Sequence, residues 1–142
     1  MSDFRFSTEQ FDERDAIASW REIFGQTIAN LDMEPAKDRP FRGEAFVRSL
    51  PELSIGLVST TGNRITRTRT LIQDGNDDVI LGIMLKGRAE IYQEKFGEVV
   101  ADQGDAVVWS NETPGHCFYD EPIDFLSIAI PRSALLPHLL HP

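Results

Sequence analysis

Closely spaced turn signals between residues 78 and 131 are the feature that most constrains the fold of this chain. Short apolar runs alternate there with glycine and proline turns about 8–12 residues apart, which leaves almost no room for a helix. Such spacing predicts a closed or sandwiched antiparallel sheet, and a barrel of this kind can enclose a pocket. The turns are Lys86-Gly87, Phe96-Gly97, Gln103-Gly104-Asp105, Thr113-Pro114-Gly115 and Asp120-Glu121-Pro122.

The sequence before this run predicts one helix and then three strands. Apolar residues recur at helical spacing between Asp12, a candidate cap, and Pro35, which ends the pattern. Strands are predicted over 41–50, 53–60 and 64–72. The apolar strand over 79–85 should have both faces covered, one by the barrel interior and one by an outside element such as the Trp20 helix. The apolar residues of the helix are Ala16, Ile17, Trp20, Ile23 and Phe24.

Length and element order indicate a single domain over residues 1–142. A chain of 142 residues can bury a core without disulfides. The order predicts a mainly β protein, a β-barrel with a helix before it and a short helix after it. Its parts are a helical N-terminal segment (1–35), the barrel (41–131) and the start of a helical C-terminal segment (132–142). The chain stops in apolar sequence, so we expect a fragment of a longer protein.

The charge balance argues against DNA as a direct partner, and other simple features of the sequence indicate its surroundings. The net charge is −9, whereas duplex DNA needs a basic surface, so we expect no DNA binding by this chain alone. We interpret the only local basic cluster, Arg64, Arg67 and Arg69, as one solvent-exposed strand face. No secretory signal or membrane-spanning stretch is visible. A lone cysteine, Cys117, fits a reducing cytoplasm.

The residues that carry catalysis and metal binding are sparse. The chain has three histidines, His116, His138 and His141, and none lies in 64–86, where a first set of metal ligands would fall. We therefore predict no metal, no cofactor and no catalytic residues. Cys117 is expected to be a buried packing residue, because only His116 adjoins it and neighbouring strand residues point to opposite faces.

Short motifs recur in one order from about Phe4 to Leu139. They are Trp20-Arg21-Glu22, Phe41-Arg42-Gly43, the strand 53–59, Arg67-Thr68-Arg69, Leu85-Lys86-Gly87-Arg88, Gln103-Gly104-Asp105 with Val107, Val108 and Trp109, then Pro114, and Ile130-Pro131-Arg132-Ser133-Ala134-Leu135-Leu136. In this order and spacing they resemble the N-terminal cupin-like domain of AraC-type transcriptional regulators, in the variety that opens with a Trp-Arg-Glu helix.

The resemblance implies a cupin-like antiparallel barrel, of the double-stranded β-helix or jelly-roll type, that senses a small molecule and supports dimerisation. It also implies a C-terminal DNA-binding domain with two helix-turn-helix motifs, which residues 1–142 lack. We therefore expect a cytoplasmic effector-sensing domain that forms a homodimer and reaches DNA only through that missing part. Two alternatives stay open, a small cupin enzyme without a recognisable metal site and a dimerisation module without a ligand.

The predicted pocket supplies the candidate site. Ligand pockets are mostly apolar with a few placed polar or aromatic groups. Trp109 shares a strand face with Val107, so its ring can either stack on a ligand or belong to the core. Met84 can supply an adaptable wall, although a core role is also open to it. The candidate ligand-binding residues are Trp109, Tyr92, Arg67, Met84, His116 and Phe118.

Overall fold

The computed structural model describes residues 2–140, so His141 lies outside the described residues. The strands are β1 (Ser2–Ser7), β2 (Asp32–Pro35), β3 (Gly43–Ser49), β4 (Ser54–Thr60), β5 (Asn63–Arg67), β6 (Val79–Lys86), β7 (Ala89–Gln93), β8 (Gly97–Ala101), β9 (Ala106–Ser110), β10 (Gly115–Tyr119) and β11 (Ile123–Ile130). The helices are α1 (Glu13–Thr27), α2 (Arg69–Ile72) and α3 (Arg132–Leu140). None of these helices has the length and apolar character that a membrane span requires.

The strands form two antiparallel sheets that pack face to face. The six-stranded sheet has the order β1-β3-β4-β11-β6-β9, and the five-stranded sheet has the order β2-β5-β10-β7-β8. Both sheets contribute side chains to shared apolar clusters, which places the core between them. The predicted antiparallel β architecture is confirmed, in the form of a two-sheet jelly roll rather than one closed barrel.

The N-terminal segment is less helical than the sequence suggested. Strand β1 precedes α1 and pairs with β3, and β2 follows α1 and pairs with β5. Helix α1 begins after Asp12, as predicted, although the Asp12 side chain makes no capping hydrogen bond. Both missed strands lie at sheet edges, where pairing with a distant strand stabilises a short and largely polar segment.

The third predicted strand, over 64–72, ends early. Strand β5 stops at Arg67, and Thr68 then caps the short helix α2 through its hydroxyl oxygen, which accepts a hydrogen bond from the Leu71 amide at 3.1 Å. The prediction of one exposed arginine face is wrong. Arg64 and Arg69 are exposed, but Arg67 has no exposed surface, because residues three apart on a strand point to opposite faces.

Helix α1 packs at one end of the core. The Trp20 ring lies 5.6 Å from the Phe6 ring and 5.9 Å from those of Phe24 and Phe41, centroid to centroid. Trp20 also contacts Gly43 so closely that a Cβ there would lie 3.0 Å from the indole ring. The prediction that the Trp20 helix covers the outer face of β6 is therefore wrong, because α1 packs between the sheets near β1 and β3.

Candidate functional site

Two neighbouring rows of side chains on the inner face of the six-stranded sheet differ sharply in size. Each row runs across directly paired positions of adjacent strands. The first row contains mostly large residues and belongs to the core: Phe6, Ala45, Val58, Phe125 and Met84. The second row is small at its centre: Val47, Gly56, Ser127, Gly82 and Val107. Because interiors otherwise pack to near-crystalline density, the paired small residues Ser127 and Gly82 leave unfilled space beside this part of the sheet.

A cavity of about 130 Å³ occupies this space. Gly82, Ser127 and Val107 line it on the side of the six-stranded sheet, and Met84 and Trp109 lie beside them. Ile65, Ile91, Cys117 and Tyr119 line it from the five-stranded sheet, and Phe24 and Ile28 of the α1 region close one end. None of the lining residues that the structure describes is an acid, a lysine, an arginine or a histidine.

The two titratable side chains of the wall are neutral at physiological pH. Burial raises the pKa of the Cys117 thiol to about 12, and it also raises the pKa of the Tyr119 hydroxyl. The Tyr119 oxygen accepts a hydrogen bond from the Thr60 hydroxyl at 2.7 Å. Neither group is a general base or a nucleophile in these states, so the cavity offers an apolar surface rather than an acid–base pair.

Trp109 connects the cavity to a polar layer at its edge. The Trp109 indole N–H donates to Asn111 Oδ1 at 3.0 Å, and Asn111 Nδ2 donates to Asn76 Oδ1 at 3.1 Å. Asn76 Nδ2 in turn donates to the backbone carbonyl of Ile28 at 3.2 Å. Trp109, Asn111 and Ile28 all line the cavity, so this chain of hydrogen bonds joins two of its walls through Asn76.

Arg67 lies in the same polar layer and is fully buried. Its guanidinium forms a two-point pair with the Asp74 carboxylate, with both N···O distances 2.8 Å. It also donates to the carbonyls of Asn111 and Asn30 at 3.0 Å and of Asn76 at 3.3 Å. These bonds use all five N–H donors of the side chain. We refer to Arg67, Asp74, Asn76, Asn111 and Asn30 as the Arg67 cluster.

The hydrogen bonds of this cluster stabilise the ionised form of the Asp74 carboxyl group. Hydrogen bonds from Arg67 are the main cause, and they keep the pKa of the Asp74 carboxyl well below its usual range, although partial burial acts in the opposite direction. The Asn76 amide and the Asn30 side chain also donate to the carboxylate, at 2.8 and 3.1 Å. The cluster thus fastens the loop after α1, the loop before β6 and the loop after β9 to the end of β5.

The structure brings only two of the six sequence-predicted site residues to the cavity. Trp109 and Met84 line it, and their contact with a ligand stays a prediction. Arg67 lies outside the lining, with its donors bonded to protein. Tyr92, His116 and Phe118 alternate with inward-facing neighbours, which places them on the outer face of the five-stranded sheet.

On that outer face, the three side chains have other partners. The Tyr92 and His116 rings lie 5.4 Å apart, centroid to centroid, and the Arg64 guanidinium lies 5.0 Å from the centre of the Phe118 ring. Phe118 also borders a second, surface cleft of about 180 Å³, lined by side chains of both charges, including Glu34, Lys37, Arg64 and Asp120. This cleft lacks the apolar enclosure typical of ligand sites, so the intersheet cavity is the stronger candidate.

Sequence reasoning missed several lining residues. Cys117 and Tyr119 point inward because they alternate with His116 and Phe118, and this alternation was the available signal. No signal in the sequence could assign Phe24 and Ile28, because their position depends on how α1 packs. Within residues 2–140, no three His, Cys, Asp or Glu side chains converge as metal ligands.

Comparison with known proteins relates the chain to one family. The family model of AraC-binding-like domains matches residues 20–141. The crystal structure of the AraC-like transcriptional activator CuxR is similar over 93% of this chain and 48% of its own length, with 17% sequence identity and a TM-score of 0.80. This chain therefore spans about half the length of CuxR. The search of curated protein sequences finds no match.

Two more distant structures are similar over part of the chain. A putative ethanolamine utilization protein Q from Salmonella typhimurium is similar over 68% of this chain and 74% of its own, with 13% identity and a TM-score of 0.50. An RmlC-like cupin protein from Desulfovibrio desulfuricans matches 71% of this chain and 82% of its own, with 14% identity and a TM-score of 0.45. The predicted cupin-like fold is confirmed as a jelly-roll-like fold of two antiparallel sheets.

Proposed function

We propose a function that starts from one finding: the chain belongs to the family of AraC-binding-like domains. We propose that it is the effector-binding regulatory domain of an AraC-type transcription regulator. The effector is a small organic molecule held in the intersheet cavity, with Trp109 and Met84 in contact with it. DNA is contacted by a helix-turn-helix domain outside residues 1–142, since a chain of net charge −9 repels duplex DNA. Homodimer formation and a cytoplasmic location belong to the same proposal.

One observation carries the proposal, the unfilled apolar space between the sheets. The paired residues Ser127 and Gly82 keep side-chain volume out of the cavity, although each position could hold a larger residue in a simple structural core. Leaving such space empty costs about 24 cal/mol for each Å³. A cavity that is kept despite this cost fits a binding role better than a purely structural one. The neutral Cys117 and Tyr119 side chains fit binding better than catalysis.

The Arg67 cluster gives ligand binding a route to the rest of the domain. A ligand that displaces Trp109 or Ile28 also strains the hydrogen bonds through Asn111 and Asn76. These bonds position the loops on either side of the cluster. A ligand can shift the regulator between two arrangements only by its difference in affinity for them, and the loops are the elements that would differ.

The proposal is tested by replacing Trp109 with alanine in the full regulator. Small molecules are first screened with a transcription reporter, and the inducing compound is then applied to the variant. We expect the response to the inducer to be lost. Replacing a tryptophan that is completely buried in a core with alanine lowers the free energy of unfolding by about 3–5 kcal/mol. One side of Trp109 faces the cavity, so we expect a clearly smaller loss in the free energy of unfolding, measured by urea denaturation.

Val108→Ala is the matched control, because Val108 directly precedes Trp109 on β9 and is 67% exposed on the opposite face. It should leave both the response and the stability unchanged. A Trp109→Ala regulator that folds and still responds to the inducer with unchanged sensitivity would contradict the proposal.

A further inference from the structure

The cavity wall restricts the charge of any molecule that binds there. The lining side chains described above include no cation and no carboxylate, and its two titratable groups stay protonated near neutral pH. The guanidinium of Arg67, which bonds the carbonyl of the lining residue Asn111, has all five donors committed to protein oxygens. A carboxylate or phosphate buried here would be without a partner, and burying an unpaired charge costs several kcal/mol.

Three polar side chains of the wall are already engaged, and the Ser127 hydroxyl and the Cys117 thiol are the other polar lining groups. The Trp109 N–H is bonded to Asn111, the Asn111 amide bridges Trp109 and Asn76, and the Tyr119 oxygen accepts from Thr60. A sugar or another molecule with many hydroxyl groups would lose its hydrogen bonds to water and find few replacements. Recognition in this cavity must therefore come mainly from the burial of apolar surface and from contact with the Trp109 ring.

The volume sets the size of the ligand. The cavity measures about 130 Å³. An apolar cavity of about 150 Å³ in another protein stays dry and takes up benzene. From these observations we propose that the ligand is an uncharged, predominantly apolar molecule whose buried part is about the size of one aromatic ring. This inference rests on the proposed function, because it specifies the effector class of the same cavity.

The test compares two ring compounds that differ in charge. Toluene and benzoate are titrated into the chain at pH 7, and binding is followed by calorimetry and by chemical shifts of the lining methyl groups. We expect saturable toluene binding. Benzoate should bind at least about 100-fold more weakly, because its carboxylate would be buried without a partner. A 100-fold difference corresponds to about 2.8 kcal/mol, since each factor of ten is about 1.4 kcal/mol.

Cavity-filling variants show whether the binding is at this place. Gly82→Val adds a side chain inside the cavity, and its first carbon would lie 3.6 Å from Val107 Cγ2, an ordinary contact distance. Ser127→Val is a second such variant in case Gly82→Val does not fold. Each should weaken toluene binding at least tenfold. Ala106→Val, which adds the same kind of bulk on the exposed face of β9, should leave it unchanged.

The outcomes separate this inference from the proposed function. Benzoate binding as tightly as toluene, lost in Gly82→Val, would overturn the charge assignment while leaving the cavity as the sensing site. Toluene binding that both cavity-filling variants retain would overturn the placement in the cavity. The absence of toluene binding would overturn the ligand class, and the reporter experiment with Trp109→Ala would still decide the proposed function.

Discussion

Replacing Asp74 with asparagine should destabilise the domain far more than an ordinary loss of an ion pair. Asp74 is the only carboxylate paired with Arg67 in the described part of the chain, and the Arg67 side chain has no exposed surface. Asparagine keeps the shape of the side chain but turns an amide donor or a neutral oxygen toward the guanidinium. The positive charge then stays buried with neutral partners only.

The expected magnitude follows from the burial of the two groups. Removing one partner of a buried pair costs about 3–5 kcal/mol, because the other charge is left uncompensated. The Asp74 side chain is 20% exposed, so water can partly replace it, and we expect the lower end of the range, about 3 kcal/mol. For a domain of this size the melting temperature should fall by about 10 °C.

The cost should also depend on pH. The pKa of Asp74 is lowered in the folded state, whereas an unfolded aspartate titrates near about 3.9. The stabilisation is therefore complete above about pH 5 and declines as the pH falls below about 4, where the unfolded chain binds a proton that the folded state does not. The difference in unfolding free energy between the wild type and Asp74→Asn should accordingly shrink between about pH 5 and pH 3.

Urea denaturation at several pH values measures this difference directly. The matched control is Asp3→Asn, because Asp3 also forms a two-point pair with an arginine, Arg48, at 2.9 and 3.1 Å, but both side chains are 47% exposed. Water screens that pair, so its loss should have a small effect. Equal losses for Asp74→Asn and Asp3→Asn at pH 7 would refute the argument that the burial of Arg67 sets the cost.

Two further predictions concern other positions in the two sheets. Cys117 should react with Ellman's reagent at pH 8 far more slowly in the folded protein than after unfolding in urea. The reason is that burial raises the pKa of the thiol to about 12. Complete reaction within seconds in the folded state would contradict this prediction. Gly115→Ala should cost about 1–3 kcal/mol or more, because its Cβ would clash with the backbone carbonyl oxygen of Tyr92 and would also lie 2.9 Å from Gln93 Cγ. Gly82→Ala, whose Cβ has its nearest neighbour at 3.6 Å, should be tolerated. Equal unfolding free energies for the two variants in urea would be the contrary result.

Most of the sheet could be predicted from the sequence, and the reason is local. Strands β6 to β11 are each bounded by turn residues, and several of the turns contain glycines at positive φ, namely Gly87, Gly97 and Gly104. These positions favour glycine for steric reasons, so the sequence marks the ends of the strands. Alternation also correctly placed Trp109 on the same face as Val107.

The errors arose where distant contacts decide the structure. The segment 64–72 carries β-branched residues, which favour a strand. The strand nevertheless ends at Arg67, because Thr68 caps a helix and Arg67 bonds to partners as far along the chain as Asn111. The choice of His116 and Phe118 was an error of another kind, because local alternation with Cys117 already placed them on the other face. Strand β2 has no clear signal in its own sequence and is defined by its pairing with β5.

The burial of Arg67 and the space that side chains leave between the sheets are parts of one arrangement. A buried guanidinium must be surrounded by acceptors, and here these come from three loops, one of which carries Asn111 at the edge of the cavity. The same contacts fix Asn111, which holds the Trp109 ring through its N–H. Small residues at Ser127 and Gly82 can therefore leave space beside Trp109 without the wall collapsing into it, because the polar layer keeps the wall in position. The stability of the Arg67 cluster and the shape of the cavity are consequently linked, and a ligand that moves Trp109 acts on both.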